Sequence, residues 1–280
     1  MINKIILGLY RILPPKMRNG IGQSRVLKPV RDIFLRSHGS YRETRVFVKR
    51  DYLGYMVNFY FHASMKVASK AEKSGIENTI LRNSIDLVKR LKTKENNAVV
   101  LDVGANFGYL SLVWAKSIAQ NGKVLSFEPN LNVYNSFRNS IRANSLESSI
   151  ELNNLAVGKK DGTIELFLSS TTSNTLQTNT QDNGSTQIEM VSLDSFLKRN
   201  GIDRCDLVKI DVDGIELDIL MGATHLMERC NPIFIVETND DERIIEFFDK
   251  RNYQVLDMKL NPFQSGDQLP PNIFCIPKIK

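Results

Sequence analysis

The chain's apolar residues switch between two periods. From Val99 the sequence runs VVLDV, a buried-strand pattern broken only by Asp102, and it then turns at Gly104 and Gly108. Leu110, Val113, Trp114 and Ile118 follow at helical spacing. A strand, a tight glycine turn and a helix predict the opening βα unit of an open α/β sheet. The alternation repeats downstream. KVLSFEPN (123–130) reads as a second strand ending on an acid, and 131–144 as a helix with Val133, Phe137 and Ile141 inward. Residues 149–157 read as a third strand, and GTIELFLSS, after the turn at Asp161 and Gly162, as another. The polar tract 171–186 reads as a hairpin loop leading into the strand STQIEMVSL. Residues 192–200 read as a short helix capped by Ser192 or Asp194. A fourth strand at 207–212 turns at Gly214 into a helix, and NPIFIVETN is a fifth, finishing on Glu237. A helix over 240–251 and the strands YQVLDMK and NIFCIPK complete the pattern. With no helix between them, the last two form an antiparallel pair at the sheet edge.

Upstream the pattern changes. Ile2, Ile5, Ile6, Leu9, Ile12 and Leu13 share one face of a helix that Pro14 and Pro15 stop. Leu27, Val30, Ile33 and Phe34 form the apolar side of a second amphipathic segment, 24–36, with Arg25, Lys28, Arg31 and Arg36 around it. Residues 41–61 are rich in β-formers and read as a hairpin turning at 51–54, placed over the mouth of the cleft. Residues 69–91 read as one helix with Ile80, Leu81, Ile85, Leu87, Val88 and Leu91 buried. The organisation expected is a basic, mainly helical extension over 1–95 and an α/β domain over 96–280.

Charge sharpens this division. Residues 1–95 carry 20 basic and 7 acidic side chains, a balance of +13, and the remainder is −7, within a net +6 over 280 residues. The two parts therefore offer different surfaces to different partners. No apolar run reaches the length of a membrane span, and no small-residue cleavage site follows the first helix. The three cysteines, Cys205, Cys230 and Cys275, are scattered, which indicates neither a zinc site nor a disulfide framework and fits a reduced, cytoplasmic setting. His38, His62 and His225 are equally scattered and read as structural or exposed.

The glycine turn constrains the ligand. A dinucleotide fingerprint needs G-x-G-x-x-G and a Walker loop needs G-K-[ST]; G-A-N-F-G satisfies neither. The spacing of Asp102, Gly104, Asn106 and Gly108, with Ala105 inside the turn, suits a nucleoside carrying an amino acid. Free N–H groups at the helix start can hold an anion or a carboxylate. Glu128, at the end of the second strand, is placed to accept both ribose hydroxyls. Asn154, Leu155 and Ala156, after the third strand, are candidates for the base. Lys209, Asp211, Asp213 and Glu216 crowd the turn after the fourth strand. A buried strand tolerates charge only near its end or when paired, so this cluster reads as functional. The competing reading has Asp213 or Gly214 capping the helix and Glu216 serving its dipole.

Taken in order, LDVGANFGYLSL, FEPN, LAVG, KIDVDGIELDILMGA and FIVET resemble the FkbM-type methyltransferases over residues 97–280. The resemblance implies a seven-stranded Rossmann-like class I sheet of order 3-2-1-4-5-7-6 with an antiparallel last strand. It also implies S-adenosyl-L-methionine as cofactor and O-methylation of a sugar or sugar-bearing acceptor. Asp102, Gly104, Asn106 and Gly108 fall on the glycine-rich cofactor motif, Glu128 on the ribose position, and Asp211 on the acid beside the donor methyl group. Asp213 departs from the glutamate usual there, with the same charge and a shorter reach.

A sugar hydroxyl is a poor nucleophile at neutral pH and needs a base or a metal. Asp211 and Glu237 are expected to face each other across the cleft. A metal-free carboxylate base is preferred. Mg²⁺ held by these carboxylates with Asn239 or Asp213 is the other option. Two other functions fit the pattern: an RNA ribose methyltransferase using the basic extension, and an S-adenosylmethionine-binding module without turnover. The missing [ND]-P-P-[FY] signature argues against methylation of a base nitrogen. Residues 1–36 are either packed helices or a basic surface for peripheral contact with an anionic inner membrane face.

Overall fold

The computed structural model describes residues 36–37, 40–168, 174–175, 185–264 and 266–278. The helices expected in 1–35, and most of the polar tract 171–186, lie outside these residues. VVLDV forms strand β1 (Val99–Val103), buried almost throughout. It is followed in the main sheet by β2 (Lys123–Phe127), β3 (Ile150–Asn153), β4 (Leu207–Ile210), β5 (Ile233–Glu237), β6 (Tyr253–Leu256) and β7 (Asn272–Pro277). The sheet runs β3-β2-β1-β4-β5-β7-β6. Its first five strands are parallel, and β7 is antiparallel to both neighbours. The chain crosses over between β1 and β4, so their carboxyl ends flank the crevice where open α/β sheets bind ligands.

Two predicted elements are corrected. The stretch 149–157 divides: β3 stays in the main sheet, while Ala156–Val157 pairs with Ser185–Val191 in a small second sheet. The helix expected over 69–91 is two, Met65–Ser74 and Asn78–Leu91, broken where Gly75 and Glu77 take left-handed φ angles of 77° and 48°. Leu91 is 39% exposed at the end of the second. The helix after β1 is Tyr109–Ala115, and all seven of its residues are buried. The upstream segment covers this helix.

That cover is a hairpin, Glu43–Tyr52 paired with Tyr55–Ser64. Its alternation is strict: Val46, Val48, Tyr52, Val57, Phe59 and Phe61 face inward, and Arg45, Phe47, Lys49, Met56 and Tyr60 outward. Phe59 and Phe61 pack edge-on against Tyr109, and Trp114 Nε1 donates to Ser84 Oγ at 3.0 Å. The strand Tyr55–Ser64 also docks on the helix Leu131–Ala143. Asn144, just past that helix, pairs through its side-chain amide with both Tyr60 N and Tyr60 O, and Ser136 Oγ donates to Glu43 Oε2. The hairpin and the helices after it thus share one hydrophobic cluster with β1 and the helix Tyr109–Ala115. Among the described residues no helix is long and apolar enough to cross a membrane.

Candidate active site

A cavity of about 350 Å³ opens at the carboxyl ends of β1, β2 and β4. Asp102, Gly104, Ala105, Asn106, Glu128, Ala156, Asp211 and Asp213 all line it, so the sheet gathers eight of the expected residues from four separate segments. Leu155, Val157 and Ile164 add apolar lining near Ala156.

The glycine turn works differently from the expectation. Each N–H from Gly104 to Gly108 already has a partner: Gly104 and Ala105 donate to Phe127 O, Asn106 to Glu128 Oε2, Phe107 to Asn106 Oδ1 and Gly108 to Ala105 O. No N–H in this turn is left over for an anion. The glycines serve the protein's own packing. A Cβ on Gly104 would stand 1.9 Å from the Asp211 carbonyl oxygen, and one on Gly108 would stand 2.1 Å from the Phe137 ring. Gly108 does not line the cavity.

Glu128 is buried, and its two oxygens accept from Asn106 N and Asn130 N at 2.9 Å each. Each oxygen keeps a second lone pair for a hydroxyl donor. Burial pushes this carboxyl up to about 7, although the two N–H groups oppose the shift. Asp102 and Lys209 are neighbours across β1 and β4 in the sheet register, which puts both side chains on one face. Lys209 Nζ lies 3.2 Å from Asp211 Oδ2, 3.0 Å from Gly104 O and 3.7 Å from Asp102 Oδ1. Burial works against its charge, but Asp211, Asp102 and Glu77 outweigh it and hold the lysine above its usual range. Asp102 Oδ2 accepts from Ser111 Oγ, while Oδ1, fully buried, has no hydrogen-bond partner.

Glu237 does not line the cavity; its carboxyl shares a hydrogen bond with that of Asp211. Burial disfavours the Asp211 charge, yet Lys209 and the bond from Glu237 hold that carboxyl below its usual range. Burial, the Asp211 charge and the shared hydrogen bond push Glu237 up to about 7.

Two other expected residues are supports. Asn154 Nδ2 donates to the Glu128 and Pro129 carbonyls at 2.9 Å, fixing the loop after β2. Glu216, also outside the lining, is buried and accepts from Val212 N, Gly214 N and Asn239 Nδ2. It holds the loop that carries Asp213 rather than acting in the cavity. Asp194 caps a helix other than its own, accepting from the His225 and Leu226 N–H groups. Among the described residues, no group of three or more His, Cys, Asp or Glu is arranged to hold a metal ion. Asn239 Nδ2 donates to Glu216 Oε1 and Glu237 Oε2.

Sequence reasoning placed Lys209 in the charged cluster after the fourth strand without giving it a role, and did not assign Phe61, Val67, Lys70, Ile76, Glu77 or Tyr109, which also line the cavity. A lysine in an apolar strand was a usable signal for the first. A glycine inside a helical pattern, Gly75, was one for the break that delivers Glu77.

The geometry fits a nucleoside with an aminoacyl tail: a carboxylate for the ribose, apolar walls for the base, and acidic side chains beside the glycine turn for a cationic group. Together with the seven-stranded sheet, the cavity defines an α/β domain built to hold such a nucleoside. Residues 102–255 match the Methyltransferase FkbM domain, and the chain belongs to that family. It is 27% identical over 158 residues to "Hexuronic acid methyltransferase AglP" of Haloferax volcanii, a match covering 55% of this chain and 62% of the relative. Among solved structures it resembles the Methyltransferase FkbM of Methylobacillus flagellatus KT, with a TM-score of 0.45, 15% identity, and coverage of 64% of this chain and 44% of that one. An O-methyltransferase from Bacillus cereus in complex with SAH gives a TM-score of 0.43 at 14% identity, covering 75% and 86% of the two chains.

Proposed function

We propose that the enzyme methylates a hydroxyl of a sugar carried on a glycan or glycolipid-type acceptor. The observation that carries this reading is the Asp211–Glu237 carboxyl pair, one member on the cavity wall and the other hydrogen-bonded to it and held near neutrality. A base titrating near the working pH best suits a weakly acidic hydroxyl. When bound, S-adenosylmethionine supplies a methyl group on a sulfonium, ready for in-line transfer. Glu128 accepts the ribose hydroxyls, and Asp102, Gly104, Ala105 and Asn106 form the floor beneath the donor. Ala156 borders the base. Asp211 orients the acceptor hydroxyl. With the donor bound, the carboxyl pair would take the hydroxyl's proton while the donor supplied its methyl group to that oxygen and kept the bonding pair on sulfur. Asp213 and Glu216 shape the loop that carries the acceptor side. The name of the relative AglP supports a sugar acceptor.

Residues 1–36 complete the proposal as a peripheral contact with the anionic inner membrane face, where lipid-linked acceptors lie. The test is parallel incubation of labelled S-adenosylmethionine with an extract of cell-surface glycans and lipids and with total RNA. Label is expected in a sugar-containing product as an alkali-stable methyl ether that ester hydrolysis does not release. Label in RNA, with none in glycan, would overturn the acceptor assignment.

A further inference from the structure

Glu77 is a side chain in an unusual place. It is not a glycine, yet its φ is 48°, and it lines the cavity. Left-handed conformations in residues of this type carry strain and survive where the surroundings over-determine them. The surroundings here do so. Asn78 Nδ2 donates to Ser74 O, and Asn78 Oδ1 accepts from Tyr52 OH at 2.8 Å. Tyr52 OH lies 3.1 Å from Tyr109 OH, and Leu81 N donates to Glu77 O. Gly75 leaves room for this packing, since a Cβ there would stand 2.4 Å from Asn78 Oδ1. The turn is thus locked to the first residue of the helix that follows the glycine turn.

The position matters because of what surrounds it. The Glu77 carboxyl feels Lys209, Asp211, Asp102 and Lys70. It therefore lies on the side of the cavity that holds Asp102 and Lys209. A ligand whose ribose sits on Glu128 and whose chain passes Gly104 carries its tail toward this side. That tail holds an ammonium and a carboxylate. The lining contains only two lysines. Lys209 is committed to Asp211, Gly104 O and Asp102, whereas Lys70 has no ion pair or hydrogen bond from its ammonium among the described residues. The acids that can take an ammonium are Asp102, whose buried Oδ1 has no hydrogen-bond partner, and Glu77.

We propose that Lys70 and Glu77 clamp the amino-acid end of the donor, Lys70 holding its carboxylate and Glu77, with Asp102, its ammonium. Both residues lie upstream of the 102–255 segment that matches the family, so the preceding helical turn completes the cofactor site. The inference uses the cofactor alone and is independent of the acceptor.

Calorimetry on the full chain tests it with two probes, S-adenosylhomocysteine and 5′-methylthioadenosine, which lacks the amino-acid tail. Lys70→Met and Glu77→Gln should each weaken S-adenosylhomocysteine about tenfold or more, the scale of a lost charge-assisted hydrogen bond, and leave methylthioadenosine unchanged. Glu77→Gly is the control for folding. Glycine relieves the left-handed strain, so this variant should melt no lower than the parent while binding S-adenosylhomocysteine more weakly. Equal loss for both probes would mean that these residues only shape the cavity, and unchanged affinity for both would mean that they do not touch the tail. Either result overturns the clamp.

Discussion

Gly104→Ala tests whether the glycine turn is built for ligand space or for its own backbone. At φ 74° an alanine costs about 1–2 kcal/mol relative to glycine. Its Cβ would also stand 1.9 Å from the Asp211 carbonyl oxygen and 3.0 Å from Val212 Cγ1. The first of these is main chain, anchored by the hydrogen bond from Asp211 N to Val103 O at 3.2 Å, and cannot rotate away. β1 and β4 must therefore separate, an overpacking cost of about 1–3 kcal/mol. Together the loss is roughly 2–5 kcal/mol, a large part of the 5–15 kcal/mol typical of a folded domain. Gly214→Ala is the comparison. It has a φ of 103° but nothing within 4 Å, so only the conformational cost applies. Urea denaturation followed by circular dichroism should show Gly104→Ala losing clearly more than Gly214→Ala. S-adenosylhomocysteine affinity should fall too, because the Asp211 backbone moves. Equal denaturation midpoints for the two variants would refute the argument that strand approach, rather than ligand access, requires glycine at 104.

Glu128 has a folded-state pKa of about 7 against an ordinary 4.5, so its contribution to stability is full below pH 4.5 and is lost as pH rises to about 7. That difference amounts to roughly 3 kcal/mol, and Glu128→Gln should flatten this part of the stability–pH curve in ligand-free protein while weakening cofactor binding. The kcat/KM profile should rise through about pH 7 as the Asp211–Glu237 pair loses its proton. Asp211→Asn and Glu237→Gln should each cut turnover far more than cofactor affinity, and a limb that survives in Glu237→Gln would exclude that residue. EDTA should leave activity unchanged; abolition by EDTA with rescue by Mg²⁺ would replace the base with a metal. Deleting residues 1–15 should abolish sedimentation with vesicles of acidic lipid, which high salt should also prevent, and leave cofactor affinity intact. A lowered melting temperature or altered oligomer, with no vesicle binding by the intact protein, would sink the membrane contact.

Local order along the chain carried the α/β class, the strand–glycine–helix unit and the acids at strand ends. Each of these is written in a few adjacent residues: a period of two or 3.6, a glycine at a turn, a carboxylate where a strand stops. Asp102, Glu128 and Asp211 could be chosen on that basis, and all three line the cavity. What tertiary structure decided is the work each group does. Lys209 and Gly104 O are 105 residues apart in the chain, and only the pairing of β4 with β1 brings them within 3.0 Å. Gly104 and Gly108 answer to Asp211 and Phe137, which no local window contains. Asn154 and Glu216 looked like ligand groups because polar residues at strand ends often are. Here nearby backbone groups claim their hydrogen bonds first. Glu77 and Lys70 reach the cavity because the segment that follows the hairpin folds with it over the helix Tyr109–Ala115, a meeting that no local window contains. Short-range periodicity records which residues prefer an interior. Which segments meet there depends on chain closure over a hundred residues, where hydrophobic burial is non-directional and only packing and hydrogen-bond geometry choose the partner.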